Sequence, residues 1–253
     1  MQEFKKLHQQ DEPLLLANVW DVSSAKCAEQ AGYQAIGTSS AAMANVLGYD
    51  DGEQIPFNEL AFMVGRIAAA TSLPLSVDIE AGYSRDPSVI AENIKQLNQL
   101  GVVGVNIEDS ILGETRTIAA RDCFSELILK LQTHLAELGV DVFVNVRSDV
   151  FLLGIDGARD EAVLRAKSYQ NAGANGVFFP CVTNREDIGA IVKATSLPVN
   201  VMAMPDLPDT RVLSDLGVKR ISTGNFSHDS IYGQLTNILV DIKDKKSCQP
   251  LFG

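Results

Sequence analysis

The sequence predicts an α/β fold of the (β/α)8 TIM barrel type, and three observations carry that reading. Short apolar, β-rich runs alternate with longer helix-patterned runs along the chain, about eight times. The strand-like runs are nearly continuously apolar, as strands covered on both faces are. The length, 253 residues, matches the ~250 of one such barrel. No linker, low-complexity tract or break in composition interrupts the pattern, so residues 1–253 read as a single barrel domain. An open doubly wound sheet is the rival architecture, but it would normally carry a nucleotide-binding turn, and neither GxGxxG nor GxxxxGK[ST] occurs.

Taken in order, the strand candidates are 14–19, 35–39, 75–80, 104–109, 142–148, 176–181, 199–202 and 220–223. Between and after them the helical pattern covers 23–31, 58–70, 88–100, 121–138, 159–172, 185–194, 209–216 and 230–243. Ala31-Gly32, Leu100-Gly101, Leu138-Gly139, Ala172-Gly173 and Leu216-Gly217 each close a helix just ahead of a strand, where a C-cap belongs. Ser72-Leu73-Pro74 and Ser196-Leu197-Pro198 introduce strands in the same way.

Composition narrows the function classes. Hydrophobic residues make up 46% and charged residues 21%, ordinary for a folded soluble protein. A net charge of −11 argues against nucleic acid or an anionic membrane as partner, since both require a basic footprint. An anionic small molecule stays open, because a metal and one arginine reverse a local field. No basic start with an apolar run suggests a signal peptide, and no apolar stretch approaches the ~18–20 residues of a membrane span. Cys27, Cys123, Cys181 and Cys248 are scattered without metal-type spacing, which fits reduced thiols in a cytoplasmic protein. His8, His134 and His228 are too dispersed for a histidine-built zinc centre.

The chemistry is expected at the C-terminal ends of the strands, where barrel enzymes keep their reactive groups. The run Leu75-Ser76-Val77-Asp78-Ile79-Glu80-Ala81-Gly82-Tyr83 ends an apolar strand in two carboxylates. Strand alternation puts Asp78 and Glu80 on one face, roughly 6–7 Å apart. Val105-Asn106-Ile107-Glu108-Asp109 ends in acid as well. Hard divalent cations take such oxygen ligands and keep some water, so these acids predict an Mg²⁺ site; ordinary solvated strand ends are the plainer account. Thr38-Ser39-Ser40, Arg147 with Asp149, Asn200 and Gly224-Asn225 join them at the same rim, a set suited to a small oxyanion held against a metal.

At this point the chain resembles the isocitrate lyase and phosphoenolpyruvate mutase superfamily over nearly its whole length. Asn18-Val19-Trp20-Asp21 with Ser24-Ala25 resembles that family's opening strand and helix, and Leu47-Gly48-Tyr49-Asp50-Asp51-Gly52-Glu53 the loop after its second strand. Val77 to Tyr83 and Asn106-Ile107-Glu108-Asp109-Ser110 are similar to its metal-binding strands. Asn145-Val146-Arg147-Ser148-Asp149 and the later Asp160-Glu161-Ala162, Arg165-Ala166, Tyr169 and Ala172-Gly173-Ala174 are similar to its fifth strand and helix.

The resemblance implies that Asp78 coordinates Mg²⁺ (or Mn²⁺) directly, with Asp51, Glu80 and Glu108 holding its waters. Ser39, Ser40 and Ala41 are expected on the carboxylate of a 2-oxo acid, Ser39 and Ser40 alternatively ending a strand and capping a helix, with Asn200 on the substrate and Arg147 on its oxyanions. Arg147 and Glu108 are the candidate catalytic pair, Arg147 alternatively forming a structural salt bridge to Asp149 or Glu108. His228 follows the last strand as a further acid or base, or as a plain exposed loop histidine. Trp20 is expected as a wall of the substrate pocket or as core, Cys181 as a small buried thiol, and Arg116 with Thr115 in a loop that closes over substrate. Relatives assemble as tetramers and exchange a terminal helix, so a homodimer or homotetramer with a swapped C-terminal helix is expected.

One loop departs from the family. Isocitrate and methylisocitrate lyases carry Lys-Lys-Cys-Gly-His after the fourth strand, and the mutases a lysine and an asparagine. Here Ser110-Ile111-Leu112-Gly113-Glu114-Thr115-Arg116-Thr117 holds none of them. Cys181 stands where the lyases place a glutamate, so it does not replace the missing thiol. The expectation is a Mg²⁺-dependent lyase or decarboxylase that cleaves the bond at the third carbon of a 2-oxo acid such as oxaloacetate through an enolate. Phosphonopyruvate hydrolysis or mutase-like P–C chemistry is the alternative, and a non-catalytic 2-oxo-acid binder is the reading of another class.

Overall fold

The computed structural model describes every residue except Leu112, Glu114 and Gly253, so those two positions of the 110–117 loop lie outside the described residues. In chain order the elements begin with α1 (Gln2–Leu7), β1 (Leu14–Val19), α2 (Val22–Gln30), β2 (Ile36–Thr38), α3 (Ser40–Leu47), α4 (Phe57–Ala68) and β3 (Leu75–Asp78). Then come α5 (Pro87–Gln99), β4 (Val102–Glu108), the short pair β5 (Ser110–Ile111) and β6 (Thr117–Ile118), α6 (Arg121–Glu137), β7 (Phe143–Arg147) and α7 (Ala158–Asn171). The chain continues through β8 (Gly176–Phe179), α8 (Arg185–Ala194), β9 (Val199–Met202), α9 (Thr210–Leu216), β10 (Arg220–Ser222) and α10 (Phe226–Lys245). Eight of the strands close in parallel, in the order β1-β10-β9-β8-β7-β4-β3-β2, which is a (β/α)8 barrel.

Local chemistry places the elements. Asp21 caps α2, accepting from the Ser24 N–H at 2.7 Å in a reciprocal capping box. Asp86 caps α5 with Pro87 in its first turn, and Asn184 caps α8 through two backbone N–H groups. At the other end of α9, Gly217 has φ +91°, a conformation that a Cβ would strain and that stops the helix just before β10.

The main core lies between the barrel and its helices and is built from residues such as Val77, Ile94, Ile107, Ile128, Val144 and Val177. A smaller cluster of Phe4, Leu14, Leu16, Ala35 and Phe143 fills the N-terminal mouth of the barrel. It exists because α1 plugs that mouth: Phe4 meets Phe143 edge-on at 5.6 Å, and the His8 ring stacks on Phe143 at 4.4 Å. A Cβ at Gly104 would sit 2.9 Å from the Phe4 ring, so that glycine makes room for the plug.

Three local expectations are corrected. Residues 40–47 form a helix, and so do residues 2–7; both are too short to show a clear helical period in the sequence. β3 ends at Asp78 rather than at residue 80, and Glu80 has φ +51°, so strand alternation does not set the direction of its side chain. The last helix begins at Phe226, and His228 therefore lies on a helix and is buried rather than exposed in a loop.

α10 does not cover the barrel wall as the other helices do. Of its residues only His228 is buried, while Ile231, Tyr232, Leu235, Leu239 and Val240 face outward. Leu15, on the outer side of β1, is 47% exposed as a consequence. An apolar cavity of about 440 Å³ opens beside it, lined among others by Ala17, Val19, Cys27, Ala28, Tyr33 and Tyr232. Among the described residues no helix is long and apolar enough to cross a membrane.

Candidate active site

A cavity of about 270 Å³ opens at the C-terminal ends of the strands. Its lining includes Ser39, Ser40 and Ala41 from the start of α3, Asp51 from the following loop and Asp78 from β3. Asn106 from β4, Arg116 from β6's approach, Arg147 from β7 and Asn18, Phe178, Met202 and Ser222 from the remaining strands complete the wall.

Parallel register explains why these groups meet. Asp78 pairs with Asn106 across β3 and β4, and Asn106 with Asn145 across β4 and β7. One step further along, Glu108 pairs with Arg147. Residues in register share a face, so Asp78, Asn106 and Asn145 form one tier of the barrel interior, with Glu108 and Arg147 in the tier above it.

Arg147 is gripped from two sides. Its Nε and Nη2 donate to the two oxygens of Asp149 at 2.6 and 3.1 Å, a forked arrangement suited to a planar guanidinium. Its Nη1 stands 3.0 Å from Glu108 Oε2 and 4.0 Å from Asp78 Oδ2. Arg116 reaches in from the β5–β6 hairpin with Nη1 at 3.2 Å from Asp149 and 3.6 Å from Glu108, and Nη2 at 3.4 Å from Asp51. The acid at position 109 belongs to the scaffold instead, accepting from Arg165 at 2.8 Å and from the Tyr169 hydroxyl at 2.6 Å.

The metal candidates are individually tied down. Asp78 Oδ2 accepts from the Ser40 hydroxyl at 3.1 Å and Oδ1 from the Glu80 N–H at 3.2 Å. Glu80 Oε2 accepts from the Glu53 N–H at 2.5 Å, which draws the loop carrying Asp51 against the β3 end. Both oxygens of Glu108 are buried without a hydrogen-bond partner, served only by the two arginines. Among the described residues no three acid, histidine or cysteine side chains stand close enough together to chelate an ion by themselves.

Electrostatics shows what the cluster lacks. Five carboxylates, Asp51, Asp78, Glu80, Glu108 and Asp149, face two guanidiniums. Burial pushes Glu80 up to about 8, with Asp78 and Asp51 adding to the rise. Burial likewise raises Glu108 to about 7 against the pull of Arg147. Asp78 is raised by burial and held down in part by Arg147. An all-oxygen donor set with too little positive charge and orphaned buried oxygens fits a hard divalent cation that binds one carboxylate and keeps its waters.

Not every expected residue reaches the cavity. Trp20 lies in the apolar cavity beside β1, and its ring packs edge-on against His228 at 5.1 Å. His228 pairs through Nδ1 with Asp229 at 3.1 Å and is not among the residues that line the rim cavity. Asn200 is fully buried one tier down, bonded to Asn145, Ser222 and the Val201 carbonyl. Cys181 is half-buried at φ +65° beyond β8 and is absent from the lining. Asn18, Asn106, Met202 and Ser222 line the cavity without having been singled out as site residues. Counting back two residues from Glu108 finds Asn106, and the same count from Thr38's register partner Val19 does not find Asn18, whose neighbour is Gly37.

With this geometry in hand, comparison with known proteins is direct. A family model for phosphoenolpyruvate phosphomutase matches residues 4–243. An uncharacterized protein of Mycobacterium tuberculosis is 34% identical over 232 residues, covering 90% of this chain and 83% of that protein. The oxaloacetate decarboxylase of Paraburkholderia xenovorans is 30% identical over 232 residues, covering 87% of this chain and 75% of the enzyme. Among solved structures, a Burkholderia cenocepacia protein provisionally assigned as a phosphonomutase superposes with a TM-score of 0.88 at 36% identity, covering 94% of this chain and 98% of its own. A phosphonopyruvate hydrolase solved with oxalate and Mg²⁺ shares the fold, with a TM-score of 0.85 at 21% identity over 97% of this chain and 87% of its own. The continuous match along the barrel, with acids and Arg147 at its rim, shows that the chain belongs to the phosphoenolpyruvate phosphomutase family.

Proposed function

We propose that this protein is a Mg²⁺-dependent lyase that cleaves the bond at the third carbon of a 2-oxo acid, with oxaloacetate decarboxylation as its reaction. The observation that carries this reading is the pairing of Arg147 with a buried, under-neutralised acid cluster at the strand ends. Its relation to proteins named oxaloacetate decarboxylase supports it. Asp78 would hold the cation, with Asp51, Glu80 and Glu108 on its waters. When bound, the cation supplies a Lewis acid for the oxygens of the 2-oxo acid, so that negative charge developing on them is stabilised.

The chain's own groups supply the rest. The first turn of α3 offers the N–H groups of Ser40 and Ala41, which have no partner within the helix, to a carboxylate at a favourable dipole end. Arg147, locked by Asp149, presents a fixed guanidinium for the substrate's oxyanion, so little is lost in ordering it on binding. In oxaloacetate the bond between the third and fourth carbons breaks, its electron pair moves into the enolate, CO₂ departs, and the third carbon then takes a proton. None of these steps requires a protein thiol, which agrees with a 110–117 loop that has neither cysteine nor histidine. Phosphonopyruvate hydrolysis is the second reading, favoured by the likeness to the phosphonomutase-type structure.

The outer wall of the barrel at β1 supports an assembly. One chain carries both an outward apolar row on α10 and an apolar cavity beside β1, so exchange of α10 between two copies would cover both.

A panel of 2-oxo acids assayed with and without MgCl₂ tests the activity. Release of pyruvate from oxaloacetate, abolished by a chelator, is the expected outcome. Turnover of phosphonopyruvate alone would replace decarboxylation by the second reading. Inertness toward every member, with oxalate still bound, would leave a binder.

A further inference from the structure

Arg220 is an unusual core residue. It is 1% exposed inside the barrel, and its Nε and Nη1 have no hydrogen-bond partner. Among the described residues no carboxylate lies within ion-pair distance of it; the guanidinium's one hydrogen bond is from Nη2 to Asn106 Oδ1 at 3.4 Å. A buried guanidinium left so poorly paired is costly, and such a residue persists where it acts on something.

What it acts on follows from donor and acceptor logic. A guanidinium only donates, so the Asn106 atom facing it must be the oxygen. The opposite end of the amide chain gives the same answer independently. Asn200 Nδ2 donates to the Val201 carbonyl at 2.6 Å, and a carbonyl only accepts, so Asn200 must turn Oδ1 toward Asn145. Asn145 Nδ2 then donates to Asn200 Oδ1 at 3.2 Å and to Asn106 Oδ1 at 2.9 Å. An amide orientation is normally a matter of choice, but here two anchors that cannot be inverted fix it. Asn106 thus keeps its oxygen down on Asn145 and Arg220 and leaves Nδ2 free of any protein acceptor among the described residues, on the lining of the cavity that also holds Asp78 and Arg147.

We propose that Asn106 is a substrate-binding residue that donates its side-chain N–H to an oxygen of a 2-oxo acid or of its enolate, and that Arg220 is the positioning residue that holds this amide in its donating orientation from below. The inference rests on the 2-oxo-acid reading given above. It adds a side-chain amide donor to the backbone N–H groups of α3 and the charge of Arg147, and a neutral donor strengthens its bond as charge builds on the oxygen.

Calorimetric titration of sodium oxalate into the full-length protein with excess MgCl₂ tests both parts. Asn106→Ala is expected to weaken oxalate about 10-fold. Asn106→Asp keeps the shape but replaces the donor with a charge of the wrong sign, and is expected to weaken it further. Arg220→Gln retains a planar donor toward Asn106 and is expected to bind oxalate better than Arg220→Met, whose amide partner is free to turn; circular dichroism and melting curves verify that all four fold. For turnover of oxaloacetate, Asn106→Ala is expected to lower kcat as well as raise KM, which a merely structural role would not do.

Oxalate affinity within twofold of wild type in both Asn106 variants would overturn the contact. Equal affinities in Arg220→Gln and Arg220→Met would overturn the positioning role. Wild type that binds oxalate but turns over no 2-oxo acid defeats the lyase reading while leaving the Asn106 contact standing, and wild type that fails to bind oxalate defeats both.

Discussion

Arg147 and Asp149 meet through two parallel hydrogen bonds, Nε to Oδ1 at 2.6 Å and Nη2 to Oδ2 at 3.1 Å, with the aspartate wholly buried. Asp149 also accepts from Ser110 at 2.6 Å, so it ties the β7 end to the hairpin that carries Arg116. Removing it leaves a guanidinium without its orienting partner. Asp149→Ala should lower the melting temperature, since breaking a buried pair costs ~3–5 kcal/mol. It should also weaken oxalate about 10-fold, with Asp149→Asn in between. Calorimetry and thermal melts check both; unaltered oxalate binding would return Arg147 to a purely structural role.

Asp78 sits at the centre of the proposed cation site. In wild type, millimolar MgCl₂ should raise the melting temperature by mass action, ~2.7 kcal/mol at a hundredfold excess over Kd. In Asp78→Ala that shift should vanish along with metal-dependent turnover, while circular dichroism without metal stays that of the wild type. A Mg²⁺ shift of wild-type size in the variant would remove Asp78 from the direct ligand set.

The plug of the N-terminal mouth predicts an acid sensitivity. Burial and the nearby Arg220 lower His8 from 6.5 to about 3, and its Nδ1–H donates to the Phe4 carbonyl at 2.9 Å. Between those two values the unfolded chain carries a proton on this residue that the folded chain does not. Stability from this residue is therefore present above pH 6.5 and is lost as the pH falls toward 3, at up to ~1.4 kcal/mol per unit. His8→Phe, which keeps an aromatic ring against Phe143, should flatten the decline of stability from pH 6.5 to 4 in urea titrations. Parallel curves for the two proteins would show that His8 is protonated in the fold.

The apolar row of α10 predicts an assembly. Leu235→Glu combined with Leu239→Glu should convert an oligomer to monomer in light scattering after size exclusion, with the barrel's circular dichroism retained. A monomeric wild type would refute the helix exchange.

Much of the barrel was legible because its strands are apolar and its helices carry period and caps. The predicted 14–19, 185–194 and 199–202 coincide with β1, α8 and β9. The short helices α1 and α3 were not legible: six and eight residues span two turns at most, and the Ser39-Ser40 start reads equally well as a strand end. In the candidate site, Ser39, Ser40, Ala41, Asp51, Asp78 and Arg147 were named from sequence and do line one cavity. Arg116 was read only as part of a closing loop, because an ion pair with Asp51, 65 residues away, leaves no local pattern. His228 was misplaced because a strand end predicts a loop at the rim, whereas α10 holds its ring edge-on against Trp20, which the sequence left as pocket wall or core and which lies in the core. Asn106 was passed over because an amide two residues ahead of Glu108 draws less notice than the acid does.

The seal formed by α1 settles how traffic passes through the molecule. Phe4, Leu14, Leu16 and Phe143 stop the lower opening with side chains that are at most 2% exposed. Among the described residues the cavity between Asp78 and Arg147 therefore opens at the rim bordered by Arg116 and Asn225 and not at the sealed end. In the proposed decarboxylation a released fragment and an incoming solvent proton would share that passage, so the order in which they use it would become part of what determines the product.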